Sequence, residues 1–353
     1  MPVPELLIPA DSLTDFAARL LDAVRVSPAK ARLVAESLVA ADLRGVDSHG
    51  VQLLPYYIEQ LEWGDMDRAA DGCVISENGA CLLYDGQNGI GQPVAEICCG
   101  HAVRIASGHG LGMVIARECN HFGAAAFWAQ RMSAAGQIGI VMCNASPMVP
   151  PWQGREPRVG TNPICMSVPG GKERPWLLDM ATTTVAAGKI LKAMINSQPT
   201  IPPNWAMDSD GVPTTDTAVA MKGLLMPLGG HKGSGLALMV EILSGVLGGG
   251  AMSTEVSSIR MRGRAVRVSY MFLAIDVARY MPLDHFRARM DYLIPTIKSA
   301  APAVGYDEVL VAGEPEWRIA EDRRRSGIPV GLGTWHSLCA AADRLGVVAP
   351  ALG

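Results

Sequence analysis

The chain lacks most of the signals that would narrow its function at once. Charged residues make up only 18% of its 353 positions, and 30 Lys and Arg against 34 Asp and Glu leave a net charge of −4. There is no long basic run to meet a phosphate backbone, which argues against nucleic acid as a partner. Eight cysteines occur without a CxxC pair or a regular spacing. Set mostly among apolar neighbours, they read as buried small side chains in a reducing, cytoplasmic setting. Nowhere does an uncharged apolar run reach the ~18–20 residues of a membrane span. The opening Met1-Pro-Val-Pro-Glu5 lacks the basic-then-apolar order of a signal peptide. No His/Asp/Glu set carries metal-ligand spacing, so no metal is expected. A strand–GxGxxG–helix fingerprint is missing too, because Gly108-His-Gly-Leu-Gly112 precedes a strand-like run instead of following one.

What is present is a globular composition, 49% hydrophobic, in a chain long enough to split into two lobes. The first fifty residues read as helical. Ser27-Pro28 suits a helix start, and apolar residues recur at Ala31, Val34, Leu38 and Ala41. That helix is expected to end near Gly45, with a second amphipathic stretch over 53–61. From about 72 to 190 strand-like and helix-like runs alternate: 80–84, 112–117 and 138–143 as strands, 92–106 and 127–135 as helices. Such alternation predicts an α/β lobe with ligands at the carboxyl ends of its strands, where His121 and Asn144 would lie. Residues 196–228, rich in Pro, Asp, Gly and Thr, read as extended loop. A helix over 234–246, a strand over 268–275 and helices over 283–300 and 334–345 complete the pattern. Arg323-Arg324-Arg325 reads as a solvated face.

Three stretches carry candidate chemistry. His49 lies in Arg44-Gly-Val-Asp-Ser-His-Gly50 and His121 in Asn120-His-Phe-Gly123, each in a glycine-bounded turn behind a small polar residue able to orient an imidazole. Either could be a general acid or base, or a structural histidine satisfied within its turn. Gly229-Gly-His-Lys-Gly-Ser-Gly235 has the glycines, the lysine and the following helix of an anion cradle, though its order is not that of a nucleotide-hydrolase loop. Asp179 is a lone acid in an apolar run, either the partner of a histidine or a helix cap. Gly160-Thr-Asn-Pro163 is a turn whose Thr and Asn suit a ligand as well as a plain turn. His101, His109, His285 and His336 carry no local signal.

Taken together and in this order, these stretches resemble the type II malate/L-lactate dehydrogenase family. That family also includes ureidoglycolate, sulfolactate and diketogulonate oxidoreductases and the Δ1-piperideine-2-carboxylate reductases. Leu178-Asp-Met-Ala-Thr182, Gly188-Lys-Ile190, Trp205-Ala-Met-Asp208 and Gly313-Glu-Pro315 extend the likeness over nearly the whole chain. The resemblance implies a non-Rossmann, NAD(P)-binding α/β lobe with a mixed sheet over 71–279. A mainly helical substrate and dimerisation lobe would come from 1–70 and 280–353. It implies an NAD(P)H-dependent oxidoreductase of a small 2-oxo/2-hydroxy acid, working as a homodimer, with a cyclic imine (C=N) reductase as the alternative and a catalytically degenerate NAD(P)-binding protein as a second.

Carried over residue by residue, the proton-transfer histidine is His121, the substrate-side pair is Ser48 and His49, and the motif aspartate is Asp179. Cofactor contacts fall on Thr161, Asn162, Thr182, Thr183, Lys189, His231, Lys232 and Gly233, with Gly313 and Glu314 nearby. One departure stands out. Where the family commonly carries an arginine four residues after the Ser-His pair, this chain has Leu53. A leucine cannot grip a carboxylate as a guanidinium fork does. Arg155 or Arg158 would have to take that role, or the substrate differs. Arginines 260, 262, 264 and 267 suit a 2′-phosphate or an exposed basic strand equally, so NAD against NADP stays open.

Overall fold

The computed structural model describes residues 5–195 and 197–350. Three helices, α1 (Ala10–Ala23), α2 (Pro28–Leu43) and α3 (Leu54–Trp63), follow a short strand β1 (Glu5–Ile8) that pairs antiparallel with β12 (Ile328–Gly331) from the far end of the chain. The last helix, α11 (Leu332–Leu345), closes this helical core. The periodic positions of α2 explain the packing: Ala31, Val34, Leu38 and Ala41 are all buried, each within 3% exposure.

The second core is built on a mixed sheet of seven strands. In chain order these are β2 (Cys73–Asn78), β3 (Cys81–Asp85), β4 (Leu111–Cys119), β5 (Gln137–Cys143), β6 (Ile164–Val168), β7 (Trp176–Met180) and β11 (Val268–Asp276), with spatial order β2-β3-β4-β11-β5-β6-β7. Helices α4 (Gly91–His109) and α5 (Ala125–Ala134) cover one face, against Val114, Ala116, Val141, Tyr270 and Phe272. Helix α8 (His231–Glu241), continued by a π-helical turn over Ile242–Val246, lies on the other face against Ile115, Met142 and Met271. Alternate residues along β4 serve the two faces, the period-2 consequence of a pleated strand.

Strand direction decides where chemistry can gather. β3 runs parallel to β4, and β11 is antiparallel to both β4 and β5. β6 is antiparallel to β5, and β7 to β6. The carboxyl ends of β3, β4, β5 and β7 therefore share one edge. It is the edge that delivers His121, Asn144 and Asp179.

Three sequence expectations fail here. Residues 196–228 are not plain loop among the described positions. They carry β8 (Ala206–Met207), β9 (Pro213–Thr214), α7 (Thr217–Lys222) and β10 (Leu224–Leu225), which with α6 (Ala187–Ile195) enclose a small core around Ile190, Ile201, Ala206, Ala220 and Leu225. Sparse apolar residues sufficed because the strands are two residues long. The stretch 280–300, expected in the helical lobe, forms α9 (Leu283–Lys298), whose Asp291 instead accepts the amides of Lys172 and Glu173 beside β7. Helix α10 (Glu314–Ser326) had no apolar stripe to reveal it, since Ala320 is its one buried residue. Within it Arg323 is no solvated face; it pairs with Asp47 at 2.5 Å.

Candidate active site

A 3-10 turn over Asp47–His49 follows α2 and sets Ser48 and His49 toward the strand-end edge. Three contacts fix it. Buried Asp42 accepts the amide of Val51 at 2.8 Å, Arg323 binds Asp47 and the Asp42 carbonyl, and Gly50 fits against the Asp42 carboxylate. A Cβ on Gly50 would fall 1.7 Å from Asp42 Oδ1, so only glycine suits the position. Ser48 Oγ lies 3.0 Å from His49 Nδ1, the orienting contact expected of a small polar neighbour. Gly188, at the start of α6, is a neighbour of this turn: a Cβ there would be in ordinary contact with that of Ser48, at 3.5 Å.

His121 comes off the end of β4 and stacks on His49, ring centroids 5.6 Å apart and planes 24° from parallel. Asn120 does not orient it. The Asn120 amide instead donates to the carbonyls of Asn88 and Gly89, both at 2.9 Å. The orienting contact comes from Tyr57 of α3, whose hydroxyl lies 2.6 Å from His121 Nδ1. Sequence reading missed Tyr57, which looked like one more apolar position of an amphipathic helix. Its one signal was a hydroxyl on an otherwise apolar face, which must find a partner when buried. Burial pushes the His121 imidazole down to about 3, with His49 lowering it further, and burial lowers His49 as well. Both rings are therefore neutral near pH 7.

Asp179 lies near the end of β7, surrounded by protein atoms yet reaching solvent. Its carboxylate accepts the Ala126 amide at 3.1 Å, at the start of α5, and hydrogen-bonds neither histidine. Desolvation raises it to about 6, against the lowering effects of that amide and of Arg44. The direct Asp179–histidine contact considered from the sequence is thus absent; Asp179 faces the same edge through α5.

The candidate cofactor stretches do converge. Thr182 donates through its amide and hydroxyl to Thr161 O, both at 2.9 Å. Leu228 N donates to Thr182 O at 2.9 Å, and Gly233 N to Leu228 O at 2.7 Å. A Cβ on Gly233 would come within 2.3 Å of Leu228 N, which is why this turn demands glycine. Asn162, Thr182 and Thr183 are buried. The amide of Asn162 is spent on Ala145 N, Ala237 O and Glu241, so it shapes the turn rather than facing a ligand. Buried Glu241, another residue the sequence gave no hint of, accepts from Asn144, Asn162 and Ser253 N, and so joins α8 to the 160–163 turn. His231, Lys232 and Lys189 are exposed, and no side chain caps α8 at Gly230. Gly313 packs on Leu177 at the opposite end of β7, where Glu314 is held by Lys298 and Arg318. The contacts do not bring that pair to the glycine loop.

The substitution at Leu53 is absorbed by the fold. Leu53 is 5% exposed and packs into the helical core. Neither proposed replacement is a free cation, since Arg155 pairs with Asp210 and Arg158 with Glu156. Arg260 lies over the Tyr56 ring and Arg262 over Trp63, while Arg267 binds Glu118. Among the described residues no group of His, Cys, Asp or Glu is placed to hold a metal ion, and no helix is long and apolar enough to cross a membrane.

Comparison with known proteins assigns the family. Residues 8–339 match the malate/L-lactate dehydrogenase family. The malate dehydrogenase of Pyrococcus horikoshii is 38% identical over 348 residues, 96% of each chain. Its solved structure superposes with a TM-score of 0.90 at 36% identity, covering 98% of this chain and 97% of that one. The L-sulfolactate dehydrogenase of Methanocaldococcus jannaschii is 36% identical over 317 residues, 90% of this chain and 91% of its own. The Δ1-piperideine-2-carboxylate reductase of Pseudomonas syringae gives a TM-score of 0.83 at 26% identity, covering 95% and 99%. The chain belongs to the malate/L-lactate dehydrogenase family of oxidoreductases.

Proposed function

We propose that this chain moves a hydride between a nicotinamide cofactor and the C2 carbon of a small 2-oxo/2-hydroxy acid, with His121 handling the proton. The observation that carries the reading is the stacked His49–His121 pair at the strand-end edge, oriented by Ser48 on one side and Tyr57 on the other. The glycine loop fits the phosphates of such a cofactor. An uncapped helix start and two exposed basic or polar side chains at 231 and 232 form a donor set suited to an anion, on a turn that Gly233 lets pack against Leu228 and Thr182.

When bound, the nicotinamide supplies or accepts the hydride. The protein's part is to orient the substrate, keep water from competing and stabilise charge on the substrate oxygen. Nε2–H of neutral His121 would donate a hydrogen bond to that oxygen and steady the charge developing there, and the one proton the oxygen takes up would be made good to the ring from solvent. Ser48 and His49 bound the substrate's other side, where Gly188 at the start of α6 lies beside Ser48. Lys189, His231, Lys232 and Gly233 would hold the cofactor on the framework of Thr161, Asn162, Thr182 and Thr183, and Gly313 and Glu314 belong to the same proposed set although their contacts lie at the other end of β7.

A homodimer belongs to the same reading. Leu238, Ile242 and Val246 are 53%, 47% and 49% exposed and lie four residues apart along α8 and its continuation, an apolar stripe suited to a second copy. The free cysteines suit a reducing interior.

The test is a panel of 2-oxo acids and cyclic imine acids with NADH and with NADPH, followed by loss of reduced-nicotinamide absorbance. Turnover of a 2-oxo acid supports the reading. Turnover of cyclic imines alone reassigns the chain as a C=N reductase. Binding of the cofactor without turnover of any member would overturn the enzymatic role.

A further inference from the structure

His121 has two ring nitrogens, and which one carries the proton decides what it can do. Three groups meet at its Nδ1 side. Tyr57 Oη lies 2.6 Å from Nδ1, and the backbone amide of Gly123 donates to Nδ1 at 3.2 Å. Behind them Gln92 Nε2 donates to Tyr57 Oη at 3.3 Å. Tyr57 and Gln92 are 1% and 0% exposed, so water does not compete for these contacts.

The polarity of this chain follows from its one irreversible member. A hydroxyl can turn to donate or accept, and a glutamine amide can turn over, but a backbone N–H only donates. A proton on Nδ1 would face the Gly123 N–H across 3.2 Å, hydrogen against hydrogen. The reversed chain, running from Nδ1–H through Tyr57 to Gln92 Oε1, is thereby excluded. Nδ1 must be the acceptor, Tyr57 donates to it, and Gln92 donates to Tyr57. Turning the ring over would replace Nδ1 by Cδ2 and leave both donors without a partner.

We propose that Tyr57 and Gln92 are positioning residues which, together with the Gly123 amide, hold neutral His121 with its proton on Nε2. The resting site then offers a hydrogen-bond donor to the substrate. It is set to receive an oxygen lone pair, as a 2-oxo acid presents, and a 2-hydroxy acid must turn its own hydroxyl proton away to fit. This deepens the reading above, in which His121 handles the proton, but the tautomer itself is a property of the free protein. Two donors on Nδ1 also disfavour a second ring proton, in keeping with the lowering that burial brings to this group.

The test is nitrogen-15 NMR of protein labelled in histidine, with His121 assigned by its loss in His121→Gln. The expected spectrum shows Nδ1 unprotonated and Nε2 protonated from about pH 5 to about pH 9, where a free imidazole would already be titrating. In Tyr57→Phe the His121 Nδ1 resonance should move, its titration should shift to higher pH, and kcat should fall about tenfold, roughly the worth of one hydrogen bond. Cofactor affinity should not change. Gln92→Leu should give a smaller change of the same sign. A proton found on Nδ1, a charged ring at neutral pH, or an unmoved Nδ1 resonance in Tyr57→Phe would overturn the proposal. The NMR outcome is read without substrate, so absence of turnover on every compound would count against the proposed function and leave this inference separately decided.

Discussion

His49 and His121 stack with ring centroids 5.6 Å apart, although one follows a helix of the helical core and the other ends a strand of the sheet. Two stacked imidazoles, both held neutral, make the junction of the two cores the place where the proposed chemistry is tested. They are not equivalent. His49 takes its orientation from the adjacent Ser48, whereas His121 takes its own from Tyr57, on another element.

Replacing His121 separates chemistry from binding. His121→Asn should lower turnover by about 10²-fold or more, the usual worth of a positioned acid or base. Cofactor affinity, measured by fluorescence titration, should stay within a few-fold. Near-normal turnover would remove His121 from the proton path.

Asp179 gives a pH-dependent stability with a defined sign. Its native carboxyl keeps a proton up to about pH 6, while in the unfolded chain it ionises near 3.8. The folded form therefore binds more protons in that window, and stability falls as pH rises through it. Asp179→Asn should melt higher than the parent at about pH 8 and together with it at about pH 4. Because the carboxylate reaches solvent, the gain should be small. A variant less stable at high pH would reverse the assignment.

Gly233→Ala probes the cofactor loop. Its Cβ would meet Leu228 N at 2.3 Å and Thr182 O at 2.7 Å, backbone atoms that cannot turn aside. Cofactor binding should weaken at least about tenfold, the effect of about 1.4 kcal/mol of lost contact. The His49–His121 pair lies elsewhere on the edge and should keep its spectrum. Unchanged cofactor affinity by calorimetry would move the cofactor away from this loop.

Leu53→Arg asks whether a carboxylate grip can be built at this position. Leu53 packs among buried residues of the helical core, so an unpaired guanidinium there should destabilise the fold by about 3 kcal/mol. Urea titration would show it. A variant as stable as the parent and faster on dicarboxylates would mean that position 53 reaches the substrate after all.

Much of this was legible in the sequence, for physical reasons. α2 announced itself by four apolar residues at helical spacing, and β4 and β5 by short apolar runs between turn signals. The glycine-bounded histidines stood out because few residues tolerate such turns. What stayed hidden lacked a periodic signature. All six residues of β2 are exposed, α10 buries only Ala320, and β8 to β10 are too short to alternate. The orientation of His121 was hidden for another reason. It depends on Tyr57, 64 positions away, and on Gln92, and nothing local distinguishes either from a core residue. Asn120 looked like the orienting neighbour but is held by Asn88 and Gly89. Motif likeness named residues that the fold brings near one edge, such as His49 and His121, along with the Gly313–Glu314 pair that it leaves at the other end of β7.

The most direct test of the central claim follows the hydride itself. Protein is incubated with a 2-oxo acid and reduced nicotinamide cofactor deuterated at C4, and the product is examined by mass spectrometry. The account predicts a 2-hydroxy acid with deuterium on C2 from one face of the cofactor, and almost none in His121→Asn. A product formed without deuterium, or formed equally well by the variant, would contradict it.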